Sequence, residues 1–493
     1  MTTTDTFPHP EYRRHVLEPA YLEAQRLLFP FMLAANEAHT LMLAATGIIP
    51  PEQAAALLKA NREVEQAGPE AFPYSTAVED LFFAVEGQLI DRAGAEAGGN
   101  LQIARSRNDL DAVMARQMVR ERLIGLQEQV LDVRAALLDL IDRHHETLMP
   151  GVTHTQPAQP TTLAHHLLGV LGPFERDSER LAQAWDRVNR CPLGVAAFTT
   201  TSFPIDRELT ARLLGFEGLV ENGYDAIGAS DYMLEVTGAL ANMATSASRF
   251  AHDLLIWSRA EAGVLRIGDA FVQVSSIMPQ KRNPVVFEHI RARTGYVIGD
   301  AATVTAIAHS SAFGDTVDVE DPVYVPLARG CDSASAVLGL LTAVLPTCVF
   351  DIDLLAERAG QGHTTTTALA DALVTERGMP FRAAHHVVSS LVRASVRTGE
   401  PITAGQVSVV ASEEAGREID VDDAFVARAL DPWAMVRART IAGGPAPETT
   451  RDAAARSRAR LEEDRDGASS RRERLSAAIA SRRERADALI AAD

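Results

Sequence analysis

The sequence predicts an all-α protein built around a central bundle of long helices. Residues 101–149 contain one glycine, Gly125, and no proline, so little interrupts a helix there. Six apolar residues in that span recur at alternating spacings of three and four, the heptad pattern of a long helix packed in a bundle. They are Leu123, Leu126, Val130, Val133, Leu137 and Leu140. Almost no segment shows the apolar–polar alternation that predicts a strand.

The helix pattern continues along the chain and suggests a division into three domains. At about 1.5 Å per residue, a helix filling residues 101–149 would run for roughly 60–70 Å. Further long helices are expected near residues 160–190, 228–264, 285–311 and 328–345. The expected domains are an N-terminal helical domain at 1–104, a central long-helix bundle at 105–360 and a C-terminal helical domain at 361–493.

Composition and charge narrow the class of protein. The net charge of −19 disfavours nucleic acid as a partner. The tail from residue 451 mixes arginines with acids, which favours a solvated or partner-facing helix over a basic arm. Three widely spaced cysteines, Cys191, Cys331 and Cys348, fit a reducing compartment. The start has no signal-like apolar core, and the longest apolar run is interrupted by Pro346. We therefore expect a cytoplasmic protein without a membrane partner.

The loop "VSSIMPQKRNP", residues 274–284, carries an unusual set of polar groups. It is too interrupted for a helix and too polar for a buried strand. The chain has only two lysines, Lys59 and Lys281, and the second lies in this loop. A compact ammonium group is not interchangeable with a guanidinium, so Lys281 suggests a specific requirement. A surface lysine without a role explains the same observation.

Two other segments carry candidate binding groups. In "LQIARSRNDLDAVMAR", Ser106, Arg107 and Asn108 fall where the long helix begins, where free N–H groups and an arginine could grip a carboxylate. A capped helix with a surface Arg–Asp pair fits equally well. In "GVTHTQPAQPTT", Thr153 and His154 lie on a polar loop between long helices. No Cys/His spacing indicates zinc and no glycine-rich phosphate loop follows a strand, so we expect neither a metal nor a cofactor.

Together these segments resemble a known family. "SSIMPQKRNPVVFE" resembles the fumarase/aspartase superfamily signature, Gly-Ser-Ser-x-Met-Pro-x-Lys-x-Asn-Pro followed by a glutamate. "ARSRND" and "THTQPAQP" are similar to the first and second signatures of argininosuccinate lyases within that superfamily. The resemblance covers about residues 20–450. It implies three mostly helical domains and a homotetramer whose active sites each draw signatures from three subunits.

The resemblance also implies a reaction and the residues that perform it. The reaction is anti elimination of an amine from an N-substituted succinate, with release of fumarate. Ser275 would be the base, and Lys281 and Asn283 would stabilise the doubly charged intermediate. His154, paired with Glu288, would orient the substrate or assist proton transfer to the leaving nitrogen. The residues implied to bind or enclose the substrate are Ser106, Arg107, Asn108, Thr153, Ser276 and Met278.

Departures from the family pattern concern the amine half of the substrate. Val274 replaces the signature glycine. Where argininosuccinate lyases carry Tyr, Gln and Lys against the arginine portion, "FGDTVDVED" has Phe313, Asp318 and Asp321. Acids at these positions favour a cationic amine, because unmatched buried carboxylates are costly. A genuine argininosuccinate lyase, an enzyme similar to ethylenediamine-disuccinate lyase and a non-catalytic structural homologue remain as alternatives.

Overall fold

The computed structural model describes residues 7–492, and most of them are helical, which confirms the all-α fold class. The first helices are α1 (Pro10–Tyr12), α2 (Glu18–Leu27), α3 (Phe29–Ala45), α4 (Pro51–Ala67), α5 (Leu81–Ala93) and α6 (Ala95–Gly99). They are followed by α7 (Arg107–Asp142), α8 (Leu163–Val188), α9 (Arg207–Leu213), α10 (Gly223–Gly228), α11 (Asp231–Trp257), α12 (Val285–Ala308) and α13 (Asp321–Val344). The last are α14 (Ile352–Ala359), α15 (Thr366–Arg377), α16 (Phe381–Thr398), α17 (Ala404–Ala415), α18 (Asp423–Ala429), α19 (Pro432–Arg437) and α20 (Pro447–Ala492).

The central bundle consists of the long helices α7, α8, α11, α12 and α13, packed against one another as expected. All six heptad residues of α7 are buried, with exposures of at most 2%. The helix spans 36 residues, or about 54 Å, and is therefore shorter than predicted. It begins at Arg107 because the side chain of Ser106 caps it, and it ends at Asp142, before a strand that the sequence did not suggest.

The other four predicted helices coincide with α8, α11, α12 and α13, with differences at their ends. Helix α13 begins at Asp321 rather than near residue 328. Pro322 does not delay it, because the first turn of a helix has no partner for its N–H groups. Helix α11 ends at Trp257, several residues before the predicted end near 264.

Six short strands interrupt the helices. They are β1 (Leu148–Thr153), β2 (Gln156–Thr162), β3 (Leu265–Arg266), β4 (Gln273–Val274), β5 (Arg282–Asn283) and β6 (Val349–Phe350). They pair antiparallel as β1–β2, β3–β6 and β4–β5. The interpretation of "GVTHTQPAQPTT" as a plain loop was wrong, because most of it belongs to the β1–β2 hairpin. Two of the three strand pairs hold candidate site residues.

The buried residues form one large and one smaller main cluster. The large cluster unites helices α2–α5 with the central bundle. Residues 369–430, from helices α15–α18, form a separate core that includes Leu373, Val387, Val407 and Phe425. The division into domains at 1–104, 105–360 and 361–493 stays a prediction.

The final helix, α20, lies along the bundle and packs against α7 and α8. It buries Ala454, Leu461, Ala468 and Leu475, which stand seven residues apart and so form one stripe. The expectation of a solvated or partner-facing tail was therefore wrong for this face. The helix resembles a solvated one in sequence because its buried stripe is mostly alanine and its other positions carry charges.

Buried ion pairs reinforce the contact between α20 and the rest of the chain. Arg482 is 5% exposed and donates from Nε to the carboxylate of Glu37, 2% exposed, at 2.7 Å. Arg134 of α7 is fully buried and pairs with Asp464. Such pairs hold specific positions together, since breaking either partner leaves an uncompensated buried charge.

One helical stretch has the length and composition to cross a membrane. It runs over Val317–Thr347, and half of its most apolar window is buried inside the chain. The bent pair Pro10–Leu27 and Phe29–Ala45 has those properties only if its two helices are taken as one span. Because a buried helix of a bundle has the same composition, neither stretch indicates a membrane partner.

Candidate active site

The signature loop is held by a short hairpin. Strands β4 and β5 pair Gln273 with Asn283 and Val274 with Arg282. The side-chain amide of Asn283 donates to the carbonyl oxygen of Gln273 at 3.0 Å, which closes the base of the loop. One further step in the same antiparallel register brings Ser275 opposite Lys281. The hairpin therefore explains why a serine and a lysine six residues apart in sequence can act together.

Within this loop, the Ser275 hydroxyl is surrounded by backbone donors. Its Oγ accepts the N–H of Met278 at 3.1 Å and the N–H of Ile277 at 3.4 Å. Donors to an oxygen favour its ionised form, which a serine base requires. Ser276, Met278 and Lys281 are exposed, and the backbone N–H of Lys281 donates to the Met278 carbonyl at 3.0 Å. The loop thus presents its polar groups outward.

The first signature forms the N-terminus of α7. The Ser106 hydroxyl donates to Oδ1 of Asn108 at 2.8 Å and accepts the N–H of that residue, so these two side chains are mutually oriented. The guanidinium of Arg107 pairs with Asp80 at 2.7 Å and lies 3.6 Å from Glu79. A substrate carboxylate would therefore compete with Asp80 for Arg107.

Asp109 is a positioning residue that the sequence prediction missed. It is fully buried and accepts N–H groups from Ser106 at 2.9 Å, Gly194 at 2.8 Å and Ala196 at 2.9 Å. Burial outweighs these donors and raises its pKa to about 6. The pattern Ser-x-x-Asp at the start of a helix is a capping box and could have identified this residue from the sequence.

The second signature occupies the tip of the β1–β2 hairpin. Thr153 ends β1 and Gln156 begins β2, so that His154 and Thr155 form a two-residue turn. Both turn residues have positive φ, 50° for His154 and 65° for Thr155, where Asn-Gly is the usual choice. Non-glycine residues in this region are strained, and such strain is concentrated at functional sites. Thr153 and His154 are exposed.

The three signature segments remain separate within one chain. Across residues 7–492, no hydrogen bond or ion pair joins the α7 N-terminus, the hairpin turn at His154 and the loop containing Ser275. The carboxylate of Glu288, in the first turn of α12, is exposed and makes no ion pair with His154 among those residues. The His154–Glu288 pairing that the resemblance implies is therefore absent within the single chain.

A group of carboxyl groups lies beside Asn108. Burial and the charges of Asp321, Asp80 and Asp315 raise the pKa of Asp111 to about 8. Burial and the neighbouring Asp315 raise the pKa of Glu320 as well. Partial burial and Asp80 raise the pKa of Asp321 to about 6. These shifts reflect carboxylates that lack enough positive charge around them.

The sequence prediction identified only part of this acidic group. Phe313 and Asp318 lie at the surface of the chain, with Phe313 67% exposed. Asp111 and Glu320 were not predicted, although Asp111 follows Asn108 by three residues and so lies on the same face of α7. Within residues 7–492, no group of three or more His, Cys, Asp or Glu side chains is arranged to hold a metal ion.

These features match the lyase fold of one superfamily. A family model described as "Lyase" matches residues 13–299, and one described as "Argininosuccinate lyase C-terminal" matches residues 363–437. The chain belongs to the fumarase/aspartase superfamily and, within it, to the argininosuccinate lyase-like proteins.

Individual relatives place it more closely. The argininosuccinate lyase of Methanosarcina barkeri is 37% identical, with 90% of each chain covered. That of Methanothermobacter thermautotrophicus is 40% identical, over 89% of this chain and 94% of the relative. Among solved structures, an EDDS lyase in complex with formate has a TM-score of 0.88 and 28% identity, over 98% of this chain and 96% of that one. A fumarate lyase from Mesorhizobium sp. BNC1, at 20% identity and a TM-score of 0.72, shares the fold over 88% of this chain and 97% of its own.

Proposed function

We propose that this protein is a carbon–nitrogen lyase that eliminates an amine from an N-substituted succinate and releases fumarate, reversibly. The observation that carries the proposal is the environment of Ser275. Two backbone N–H groups reach its Oγ, and Lys281 stands opposite it across the hairpin. The names of the relatives, argininosuccinate lyase and fumarate lyase, support the same class of reaction.

In the proposed reaction, the Ser275 alkoxide removes a proton from the carbon beside a carboxylate. The electron pair left on carbon is delocalised into that carboxylate, which then carries two negative charges. Lys281 and the amide of Asn283 stabilise this charge where it develops. The pair then forms the double bond of fumarate as the C–N bond breaks, and the leaving nitrogen takes up a proton. His154, with Glu288, acts at that nitrogen as a proton donor or as an orienting group.

The proposal includes a homotetramer with shared active sites. The Ser275 loop, the His154 turn and the start of α7 lie on different elements, and the first two are exposed. Three such segments from three subunits would complete one site. The residues proposed to bind or enclose the substrate are Ser106, Arg107, Asn108, Thr153, Ser276 and Met278. Closure of the signature loop over them would exclude water.

Cleavage of argininosuccinate itself is the second candidate. It is favoured by the names of relatives at 37–40% identity. The acids beside Asn108 weigh against it, because the arginine portion carries an α-carboxylate that they would repel. A non-catalytic structural homologue is the least supported alternative, since Ser275, His154 and Lys281 are all present.

Fumarate absorbance is the direct test. Purified protein is mixed with fumarate and a panel of amines, and with argininosuccinate in the cleavage direction. Ser275→Ala should lower turnover by at least about 100-fold, the usual contribution of a general base. Lys281→Arg should lower it by about 100–1,000-fold, because a guanidinium does not reproduce a compact charge.

The chain supplies a matched control for the lysine. Lys59 is exposed on α4, and Lys59→Arg should leave turnover unchanged. Full activity of Lys281→Arg would remove the stabilising role from Lys281. Turnover of argininosuccinate with high efficiency would establish the second candidate, and a folded protein without turnover on any substrate would favour the non-catalytic homologue.

A further inference from the structure

We infer that the amine half of the substrate ends in a primary ammonium group, which binds in a small acidic pocket beside Asn108. The inference rests on the proposed function, because Asn108 is there assigned to the substrate. It adds the chemical class of the amine, which neither the signature residues nor the relatives specify for this chain.

The pocket is enclosed by α7, the starts of α11 and α13, and the segment before α13. Its polar lining consists of Asn108, Asp111, Tyr232, Asp315, Glu320 and Tyr324. The enclosed space is about 20 Å³. That volume accommodates one group the size of a water molecule. An ammonium head is of this size, whereas a guanidinium or a carboxylate has several heavy atoms and does not fit.

Several polar groups of the pocket have no partner of their own. Tyr232 and Tyr324 are only 5% and 4% exposed, and both line the space. Neither phenol hydroxyl forms a hydrogen bond within residues 7–492, and the carboxylate of Asp111 accepts none there either. Buried polar groups are normally satisfied, so their free acceptors indicate a missing donor. An ammonium group supplies three N–H donors at one point.

The charge of the pocket points to the same occupant. Arg107 is near enough to lower the pKa of Asp111, but its guanidinium is already paired with Asp80. The remaining excess of negative charge keeps the pKa of Asp111 raised to about 8. A bound cation would offset that excess and favour the ionised carboxylate. These acids are not arranged as a metal site, so an organic cation is the fitting partner.

The inferred substrate is therefore an aspartate conjugate of a diamine. One nitrogen is bonded to the succinyl carbon, and the other is a terminal ammonium without a carboxylate on the same carbon. An amino acid such as arginine carries that carboxylate, which would lie against Asp111 and Glu320 and be repelled. A simple alkylamine of equal length leaves the pocket without its cation.

The test compares diamines with monoamines of matched length in the addition direction. Fumarate consumption is measured with 1,3-diaminopropane against butylamine and 1,4-diaminobutane against pentylamine, with arginine alongside. The wild type should prefer the diamine by at least about 10-fold in kcat/KM, because a site built for a charged group rejects an analogue without it. Asp111→Asn should lose this preference, whereas Asp318→Asn, an exposed acid just before α13, should keep it.

Binding is measured separately so that this inference and the proposed function can fail independently. Titration calorimetry with the diamine alone should give heat with the wild type and Asp318→Asn, and none with Asp111→Asn. Fumarate turnover with equal efficiency for diamines and monoamines would overturn the inference and leave the lyase function standing. Diamine binding that depends on Asp111, without turnover, would support the pocket and count against the function. Absence of diamine binding at millimolar concentration would overturn the pocket.

Discussion

The buried carboxylate of Glu37 should contribute more to stability than any exposed acid, because three arginines surround it. Its oxygens lie 2.7 Å from Nε of Arg482, 3.4 Å from Arg483 and 3.8 Å from Arg62. Glu37 is 2% and Arg482 5% exposed, so water cannot replace the missing partner after substitution. Glu37→Ala would leave the Arg482 charge buried and uncompensated.

The expected cost follows from that burial. Removing one partner of a buried ion pair destabilises a protein by about 3–5 kcal/mol. For a large domain this corresponds to a fall in Tm of roughly 5–10 °C. Amide exchange in the C-terminal half of α20 should rise as well, because Arg482 belongs to that helix. Glu37→Gln keeps the shape and one acceptor and should cost less.

Thermal unfolding with a matched surface pair is the assay. Glu376 pairs with Arg428, and these side chains are 42% and 56% exposed. Glu376→Ala should therefore cost no more than about 1 kcal/mol. If Glu37→Ala lowers Tm no further than Glu376→Ala, or if exchange in α20 is unchanged, the reasoning from burial is refuted.

Three further predictions concern the candidate site. In Gly228→Ala the new Cβ would stand 2.7 Å from the backbone nitrogen of Gly314, which should displace the loop before Asp315 and lower diamine affinity; Gly238→Ala meets nothing within 4 Å and should not. The native state binds the Asp111 proton more tightly than the unfolded chain does. Its contribution to stability is therefore lost as pH rises from about 4 through 8. Asp111→Asn should accordingly gain roughly 1–3 kcal/mol over the wild type above pH 8. Melting curves from pH 5 to 9 should show this gain shrinking toward acid, and a constant difference would contradict it. Thr155→Gly should raise the free energy of unfolding by about 0.5–1 kcal/mol, measured in urea, because φ at this position is 65°.

The long helices were predictable because their signal is local. The heptad seam of α7 and the absence of proline across residues 101–149 suffice to place a packed helix there. The candidate loop at 274–284 was also recognisable, since its residue types stand close together in the sequence. Its short hairpin was not predicted, because two paired residues on each strand leave no alternating pattern.

The features that were missed depend on distant parts of the chain. The acidic pocket joins Asp111 on α7 to Asp315 and Glu320 some 200 residues later, and no local pattern reports such proximity. The β1–β2 hairpin was missed because its strands are rich in proline and polar residues. The position of α20 was missed because alanines spaced seven apart among charges do not look like a buried face.

The course of α20 has a consequence for synthesis of the chain. His145, just after α7, contacts Thr450 of α20 across a separation of 305 residues. A ribosome adding about 5–20 residues per second needs roughly 15–60 s for that interval. Throughout it, the face of α7 that α20 will cover remains open, while residues 369–430 can already assemble their own core. A nascent chain that stalls before residue 447 would therefore expose an apolar stripe, and chaperones would encounter it there.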